Sequence, residues 1–274
     1  MSFLVGGMQG DVGQHAAAEN TDGLPIRERI IRNVSLVLSS IQGIGRATPD
    51  ETNTIGVEAA PGGAYTGAAT RKYRAQVVLA GASGVARVTM TDVTPAEYVG
   101  LWPDGETVDD GPVSTVVTSG TPFDVGTLGA TLTLTFTGAL ALGDAWEFFA
   151  GDYATSVGAV VRGDDGRETD LAWVEIEFPD EEPEVGPLAK ATALLFLDLR
   201  LHARRGSGIA TDLETLLADV RTALRKDVTR GGLAISTEFV ASYGVLLQEA
   251  RAWGECVLRV AILYRTVDDD PRTL

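Results

Sequence analysis

The chain has 274 residues, of which 45% are hydrophobic, an ordinary content for a folded protein with room for two modest domains. Its 22 Lys and Arg residues stand against 38 Asp and Glu residues, which gives a net charge of −16. Nucleic-acid recognition is therefore disfavoured, because it relies on clustered cations. No window of about 18 consecutive apolar residues occurs, so we expect no membrane-spanning segment.

The N-terminal part of the chain changes character at Pro25. Residues 1–24 are rich in Gly, Ala, Asn, Asp and Gln and show no periodicity, which predicts a flexible arm. After Pro25, apolar residues recur at spacings of three and four and predict a helix. They are Ile26, Ile30, Val34, Val37, Leu38 and Ile41. Pro25 suits the first turn of this helix, and Gly43 and Gly45 suit its end.

Residues 51–157 are dominated by Thr, Val, Gly and Ala, in short alternating runs divided by Gly, Pro and Asp. In the run from Thr131 to Thr137, Leu132, Leu134 and Phe136 alternate with threonines. Such alternation is typical of a strand with one buried face. Several short strands with turn signals between them predict an inserted all-β sandwich domain over this segment.

Two alternating runs follow the β segment. Val174 to Phe178 and Leu195 to Leu201 predict an antiparallel pair of strands, joined by a long loop through the acidic stretch from Pro179 to Pro187. Next, Thr211-Asp212-Leu213-Glu214 fits a capping box, which predicts the opening of a second helix that extends to Leu224.

Two further strands are predicted over Leu233–Phe239 and Cys256–Tyr264. The pieces before and after the β segment are each too small for a good core, so we expect them to fold together. The prediction is an α+β fold: a small core of antiparallel or mixed β-sheet with two helices, formed by residues 25–50 and 158–274. The all-β sandwich domain of residues 51–157 interrupts this core.

Residues suited to catalysis or metal binding are scarce. The two histidines are His15 and His202, and His202 is more typical of a strand histidine than of a ligand or base, since no second His or Cys stands near it. Gly206-Ser207-Gly208 lacks the nucleophile-elbow spacing and is interpreted as a flexible connection. The acidic residues of 164–170 do not match an EF-hand loop. We therefore predict no enzyme, no cofactor and no metal site.

Cys256, the one cysteine, stands in an alternating apolar run and is predicted to be a buried thiol. The acidic run Asp180, Glu181, Glu182 and Glu184 is most simply a solvated loop; its functional alternative is an electrostatic contact with a basic partner. A candidate partner-contact loop is assembled from this run together with Arg204 and Arg205.

The predicted core resembles the tail-terminator (tail-completion) family of long-tailed bacteriophages. The segments that carry this resemblance cover about half the chain. They are Ile26–Ile31, Val174–Glu182, Leu216–Leu224 with Gly231-Gly232-Leu233, and a long final strand, Val257–Thr266. The insertion resembles a β module that recurs in phage virion proteins, through Ala64–Gly67, Arg71–Ala75, Leu132–Phe136 and Gly143–Phe148. The segment around Trp102 departs from the tryptophan strand of that module.

The resemblance implies a structural virion protein of the tail or neck, assembled in the host cytoplasm. Such proteins form a ring, usually of six copies, at the head-proximal end of the tail tube, where they end tube polymerisation. The implied partners are further copies of the chain, the tube protein and the head-tail connector proteins. DNA would pass through the acidic lumen without specific binding. The insertion would project outward, because an inward position would block the channel.

Two alternatives remain open at this point. The first is another neck or tail component of the same fold, such as a head-completion or tube-like protein. The second is a receptor- or glycan-binding module carried by the β insertion, for which Trp102 is the one plausible exposed aromatic residue.

Overall fold

A computed structural model describes residues 24–54, 56–101, 107–109, 114–163, 172–177, 180–184, 190–204, 208–247 and 253–267. Only the backbone is described for residues 180–184, 190, 191, 204, 244–247, 253, 266 and 267. Residues 1–23, which include nearly all of the predicted arm, lie outside the described part of the chain.

The described chain has an α+β fold with mostly β content, as predicted. Its helices are α1 (Ile26–Ser39), α2 (Ala96–Val99) and α3 (Ile209–Lys226). The first eight strands are β1 (Thr48–Pro49), β2 (Glu58–Gly63), β3 (Arg71–Leu79), β4 (Arg87–Asp92), β5 (Thr115–Val116), β6 (Pro122–Val125), β7 (Ala130–Thr135) and β8 (Ala145–Ala150). The remaining strands are β9 (Val157–Arg162), β10 (Ala172–Ile176), β11 (Asp180–Glu184), β12 (Lys190–Arg204), β13 (Ser236–Leu247) and β14 (Trp253–Val267).

The last six strands form one mixed sheet, which we call the core sheet. Its strand order is β13-β14-β12-β10-β9, and β11 pairs with the other half of the long strand β12. All pairs are antiparallel except β9 with β10. The predicted antiparallel pairing of the two alternating runs is confirmed, with Val174 opposite Leu201.

The alternation of β12 and β14 gives the core sheet two different faces. Odd-numbered residues of β12, such as Leu197, and even-numbered residues of β14, such as Leu258, are buried against α1 and α3. Their neighbours along each strand point to the opposite face, because side chains alternate across a strand. We call this second face the open face, since no described helix packs on it.

The β module, made of β1 to β8, folds as a sandwich. One sheet has the order β1-β8-β3-β4-β5 and the other β2-β7-β6. Side chains of both sheets share one buried cluster, in which Trp146, Tyr73 and Phe148 are the largest members. A separate apolar cluster fills the core, and it draws on residues up to Ile41 and again from Tyr153 onwards.

The β module leaves and re-enters the core at one point, which we call the junction. The backbone N–H of Gly43 donates to Ser156 Oγ at 3.1 Å, and Gln42 Nε2 donates to the carbonyl of Val157 at 2.8 Å. A Cβ on Gly43 would lie 2.7 Å from the carbonyl oxygen of Tyr153, so only glycine permits this approach of the two segments.

Lys226, at the end of α3, reaches across the junction. Its Nζ donates to the carbonyl of Ala68 at 2.9 Å, lies 3.4 Å from Asp152 Oδ1 and sits 4.6 Å from the ring centroid of Tyr153. Tyr98, in α2, donates its hydroxyl to the carbonyl of Ser39 at 3.0 Å. These contacts fix the orientation of the β module on the core.

The structure corrects three local predictions. The acidic run Asp180–Glu184 was expected in a loop, but its backbone forms β11 and pairs with Thr192–Phe196 of β12. The capping-box prediction is wrong, because α3 begins at Ile209, after Gly208 with a φ of +117°, and has no side-chain cap. The third strand of the core begins at Ser236, and Leu233 is instead buried in the preceding turn.

Candidate interaction surfaces of the core sheet

The open face carries a row of ion pairs across β10, β12 and β14. Arg259 donates from Nε and Nη2 to the two carboxylate oxygens of Asp198, at 2.7 and 2.5 Å. Arg200 donates from Nε to Glu177 at 2.5 Å and from Nη1 to Glu255 at 2.7 Å. Asp198 and Arg259 are directly opposite each other in the register, whereas Arg200 is opposite Val257 and Glu175 and reaches Glu255 and Glu177 diagonally.

The environment of Arg200 favours its charged form. Burial disfavours the charged guanidinium, but the hydrogen bonds that it donates to Glu177 and Glu255 outweigh burial and raise the pKa of Arg200 above its ordinary value. The side chain remains about a third exposed, so water still screens the pairs. If such a face met a partner, its charges would contribute more to register and orientation than to binding energy.

His202 lies on the open face, in β12, as the alternation predicted. Its ring meets the ring of Trp173 in a T-shaped contact with the centroids 4.7 Å apart, and its Nε2 lies 3.6 Å from Oε2 of Glu175. Ser207, the other residue considered for chemistry, lies outside the described residues. Within the described part of the chain, no group of three or more His, Cys, Asp or Glu side chains is placed to hold a metal ion.

Strand β13 forms one edge of the core sheet, and among the described strands only β14 pairs with it. Its single charged residue is Glu238. Val240 and Tyr243 project from it with exposed fractions of 53% and 52%. Edge strands present unpaired N–H and C=O groups that another chain can pair with. A long edge with apolar side chains and almost no charge is therefore a candidate contact surface.

Two irregularities shape this edge. The pairing of β13 with β14 shifts register between Phe239 and Ala241 and again between Tyr243 and Leu246. Bulges bend a strand and increase its local twist. A strand that paired with this edge would have to follow the same bend.

Arg230 positions the start of β13. It is fully buried, with a φ of +54°, and its guanidinium donates to the carbonyl of Leu224 at the end of α3 and to Thr237 Oγ1 at 3.0 Å. Burial lowers the pKa of Arg230 to about 10, although Asp227 acts in the opposite direction. Sequence patterns missed this residue, because an arginine in a glycine-flanked turn is usually exposed.

The predicted partner-contact residues do not meet in one loop. Asp180, Glu181, Glu182 and Glu184 lie in β11, where Asp180 is opposite Phe196. Arg204 ends β12, eight residues beyond Phe196 and so roughly 26 Å away along the strand. Arg205 lies outside the described residues, as do residues 164–170 and Trp102. A contact between β11 and a basic partner stays a prediction.

Cys256 is buried on the helix-covered face of β14, as predicted. None of the described helices is long and apolar enough to cross a membrane. No protein-family model matches the chain, and no curated protein matches its sequence. The interaction surfaces of the core sheet therefore provide the basis for a functional proposal.

Proposed function

We propose that the chain is a structural subunit of a long-tailed phage particle, forming a ring at the head-proximal end of the tail tube. In this role it ends tube polymerisation and joins the tail to the head connector. The observation that carries the proposal is the edge strand β13, with Val240 and Tyr243 exposed and Glu238 as its single charge. In a ring, one surface of each copy contacts a different surface of the next copy, and this contact repeats around the axis. The edge of β13 would be one of these two surfaces.

The net charge supports the same role. A ring built from chains of charge −16 is strongly negative, so it repels the phosphates of DNA that passes through it. The ion pairs of the open face add to this, because their carboxylates outnumber their arginines: Asp198, Glu177 and Glu255 face Arg200 and Arg259. DNA therefore moves through the lumen without being held.

The junction supports an outward position for the β module. The chain leaves and re-enters the core at Gly43 and Ser156, so the whole module extends from a single point. Lys226 and Tyr98 hold it at that point. The module thus extends from the ring without taking part in closing it.

The test is to inactivate the gene in the phage that encodes the chain and to image the lysate by electron microscopy. We expect tubes of uncontrolled length and heads without tails. Tails of normal length joined to heads would overturn the proposal. A labelled chain found only at the portal, away from the tube, would assign it to another position in the neck.

Complementation with variants ties this phenotype to β13. The double variant Val240→Lys, Tyr243→Lys places two charges on the edge and should fail to restore tail length. The matched control is Val108→Lys in the β module, since Val108 is 48% exposed and lies outside the core sheet. The control should restore normal tails. Equal rescue by both variants would contradict a ring contact through β13.

A further inference from the structure

The first half of the long strand β12 is apolar and carries no charge. Between Lys190 and Asp198 the sequence reads Ala191, Thr192, Ala193, Leu194, Leu195, Phe196 and Leu197. Uncharged apolar strands without proline are typical of segments that pair with other chains when one of their edges is free. Here β14 pairs with one side of this segment, and β11 pairs with Thr192–Phe196 on the other side. The pairing with β11 therefore decides whether this half of β12 has a free edge.

Strand β11 has a sequence that disfavours strand formation. Four of its five residues are Asp or Glu, and the fifth is Pro183. These residue types are depleted in strands, so the strand state of β11 depends on its pairing with β12, with Asp180 opposite Phe196 and Glu184 opposite Thr192. Among the described strands, β12 is the one partner of β11. The outer side of β11 is thus an edge of the core sheet.

Two features of β11 oppose the pairing of a further strand on this outer side. A second copy that paired through the same segment would bring carboxylates next to carboxylates, and like charges on neighbouring strands are destabilising. Proline is tolerated in a sheet where its nitrogen faces away from the paired strand, so Pro183 leaves its outer side without a donor. Charged residues and proline are both means by which edge strands avoid pairing with other chains.

The edge formed by β13 has the opposite character. This strand has twelve residues, contains no proline and carries one charged residue, Glu238. Its composition permits the addition of a strand, whereas that of β11 opposes it. The core sheet therefore has one edge open to pairing and a second edge, at β11, that is protected from it.

We propose that β11 is a blocking strand, which covers the apolar half of β12 and prevents this half from pairing with other chains. The backbone groups on this side of Thr192–Phe196 are paired within the chain, and the strand that pairs with them presents an edge that accepts no further strand. The acidic run acts through its position at the edge and not through its contribution to the net charge of −16. This role concerns β11 alone and does not depend on the proposed ring.

The test removes the carboxylates and the proline of β11 from the full chain. The background carries Val240→Lys and Tyr243→Lys, so that association through β13 is suppressed in every sample. The neutral-edge variant adds Asp180→Asn, Glu181→Gln, Glu182→Gln, Pro183→Thr and Glu184→Gln. In sedimentation velocity at about 100 µM, the background chain should stay monomeric, and the neutral-edge variant should form dimers or larger assemblies. Far-UV circular dichroism checks that both chains are folded.

Two control variants separate the position of the charges from their sum. The first neutralises four exposed carboxylates outside the core sheet, by Glu51→Gln, Glu97→Gln, Asp212→Asn and Glu214→Gln. It changes the net charge as much as the neutral-edge variant does. The second replaces the four carboxylates of β11 by lysine and keeps Pro183, so the net charge changes twice as much while the edge stays charged. Both controls should remain monomeric.

A neutral-edge variant that stays monomeric would overturn the proposal. Equal association of the first control would overturn it too, because the net charge would then explain the result, and so would association of the lysine variant. If the neutral-edge variant does not fold, the milder combination of Glu181→Gln, Glu182→Gln and Pro183→Thr takes its place. A folded chain of this kind that remains monomeric would have the same meaning.

Discussion

The β module and the core sheet both place arginine–carboxylate pairs on their strands, but at different depths. In the module, Arg71 donates to Asp92 at 2.9 Å and both side chains are buried. In the core sheet, Arg259 and Asp198 are paired just as closely and remain partly exposed on the open face. The module closes two sheets over its pair, whereas the core sheet has helices on only one face.

The buried pair also organises a wider network. Asp92 accepts hydrogen bonds from the N–H groups of Thr94 and Asp109, and Asp109 in turn accepts from the hydroxyl of Tyr73 at 3.0 Å. Burial, with the carboxylate of Asp109 nearby, raises the pKa of Tyr73 well above its usual range. In the module, the ion pair thus holds the loops of Thr94 and Asp109 in place. In the core, the pair of Asp198 and Arg259 lies on a partly exposed surface. The following predictions test this difference.

The largest effect is expected for Asp92→Asn. The substitution removes a buried charge that faces the Arg71 guanidinium, and breaking a buried pair costs about 3–5 kcal/mol. Urea unfolding followed by tryptophan fluorescence measures it, because Trp146 is buried in the same cluster. A loss below about 1 kcal/mol would show that the buried pair is no more important than an exposed one.

We expect a cysteine to react more slowly on the helix-covered face of β14 than on its open face. Burial raises the pKa of the Cys256 thiol to about 11, so at pH 8 its thiolate fraction is roughly 100-fold below that of an ordinary thiol. Iodoacetamide should therefore label Cys256 slowly in the folded chain. A cysteine at the neighbouring open-face position, in the variant Val257→Cys, Cys256→Ala, should be labelled at an ordinary rate. Equal rates would contradict the difference between the faces.

The same shift gives a pH dependence. Because the folded-state pKa of Cys256 is raised, the folded chain holds this proton more tightly than the unfolded chain does. The resulting stability is fully present below about pH 8.5 and is lost as the pH rises toward about 11. The difference in unfolding free energy between the wild type and Cys256→Ala should narrow over this range.

A smaller loss of stability is expected when a contact at the junction is removed. Lys226→Met removes the hydrogen bond to Ala68 and the contact with the Tyr153 ring, which together contribute about 1 kcal/mol. Hydrogen exchange at residues 67–70 and 151–153 should become faster. Arg225→Met is the control, because Arg225 lies one residue earlier and contacts Phe239 of the core. Similar exchange in both variants would contradict the role of Lys226 in orienting the module.

The smallest effect is expected for Asp198→Asn on the open face. Partly exposed ion pairs contribute between about 0 and 1 kcal/mol, and salt weakens them further. The unfolding free energy should change by less than about 1 kcal/mol, and the change should shrink in high salt. A loss as large as that of Asp92→Asn would remove the distinction between module and core.

Periodicity predicted the elements that one apolar face dominates. Helix α1 and strands β12 and β14 follow from spacing alone, because their buried residues recur at regular intervals. Strand β11 could not be predicted, since Asp180–Glu184 has a poor strand composition and is held by backbone pairing with β12. Asp92 could not be predicted either, because its partner Arg71 lies 21 residues away. The partners of Arg230 are near in sequence, Leu224 and Thr237, but no periodic pattern indicates an arginine buried between a helix and a strand.

Within the proposed interaction surfaces, the sequence indicated the alternation of β12 and β14 but not the register between them. That register places Asp198 opposite Arg259, and pairing across 61 positions is a tertiary property. The scarcity of charge in β13 is the one local signal of the proposed edge contact. The position of β13 at the edge of the core sheet depends on strand order, which composition does not encode.

The hydrogen bond between Gly43 and Ser156 brings the two ends of the β module side by side. Segments whose ends nearly touch can be replaced at small entropic cost, because the host chain already spans the gap. The core can therefore accept a different inserted domain at the junction without rearranging its own chain. Exchange of residues 44–155 for a short linker or an unrelated domain should therefore leave the core sheet folded.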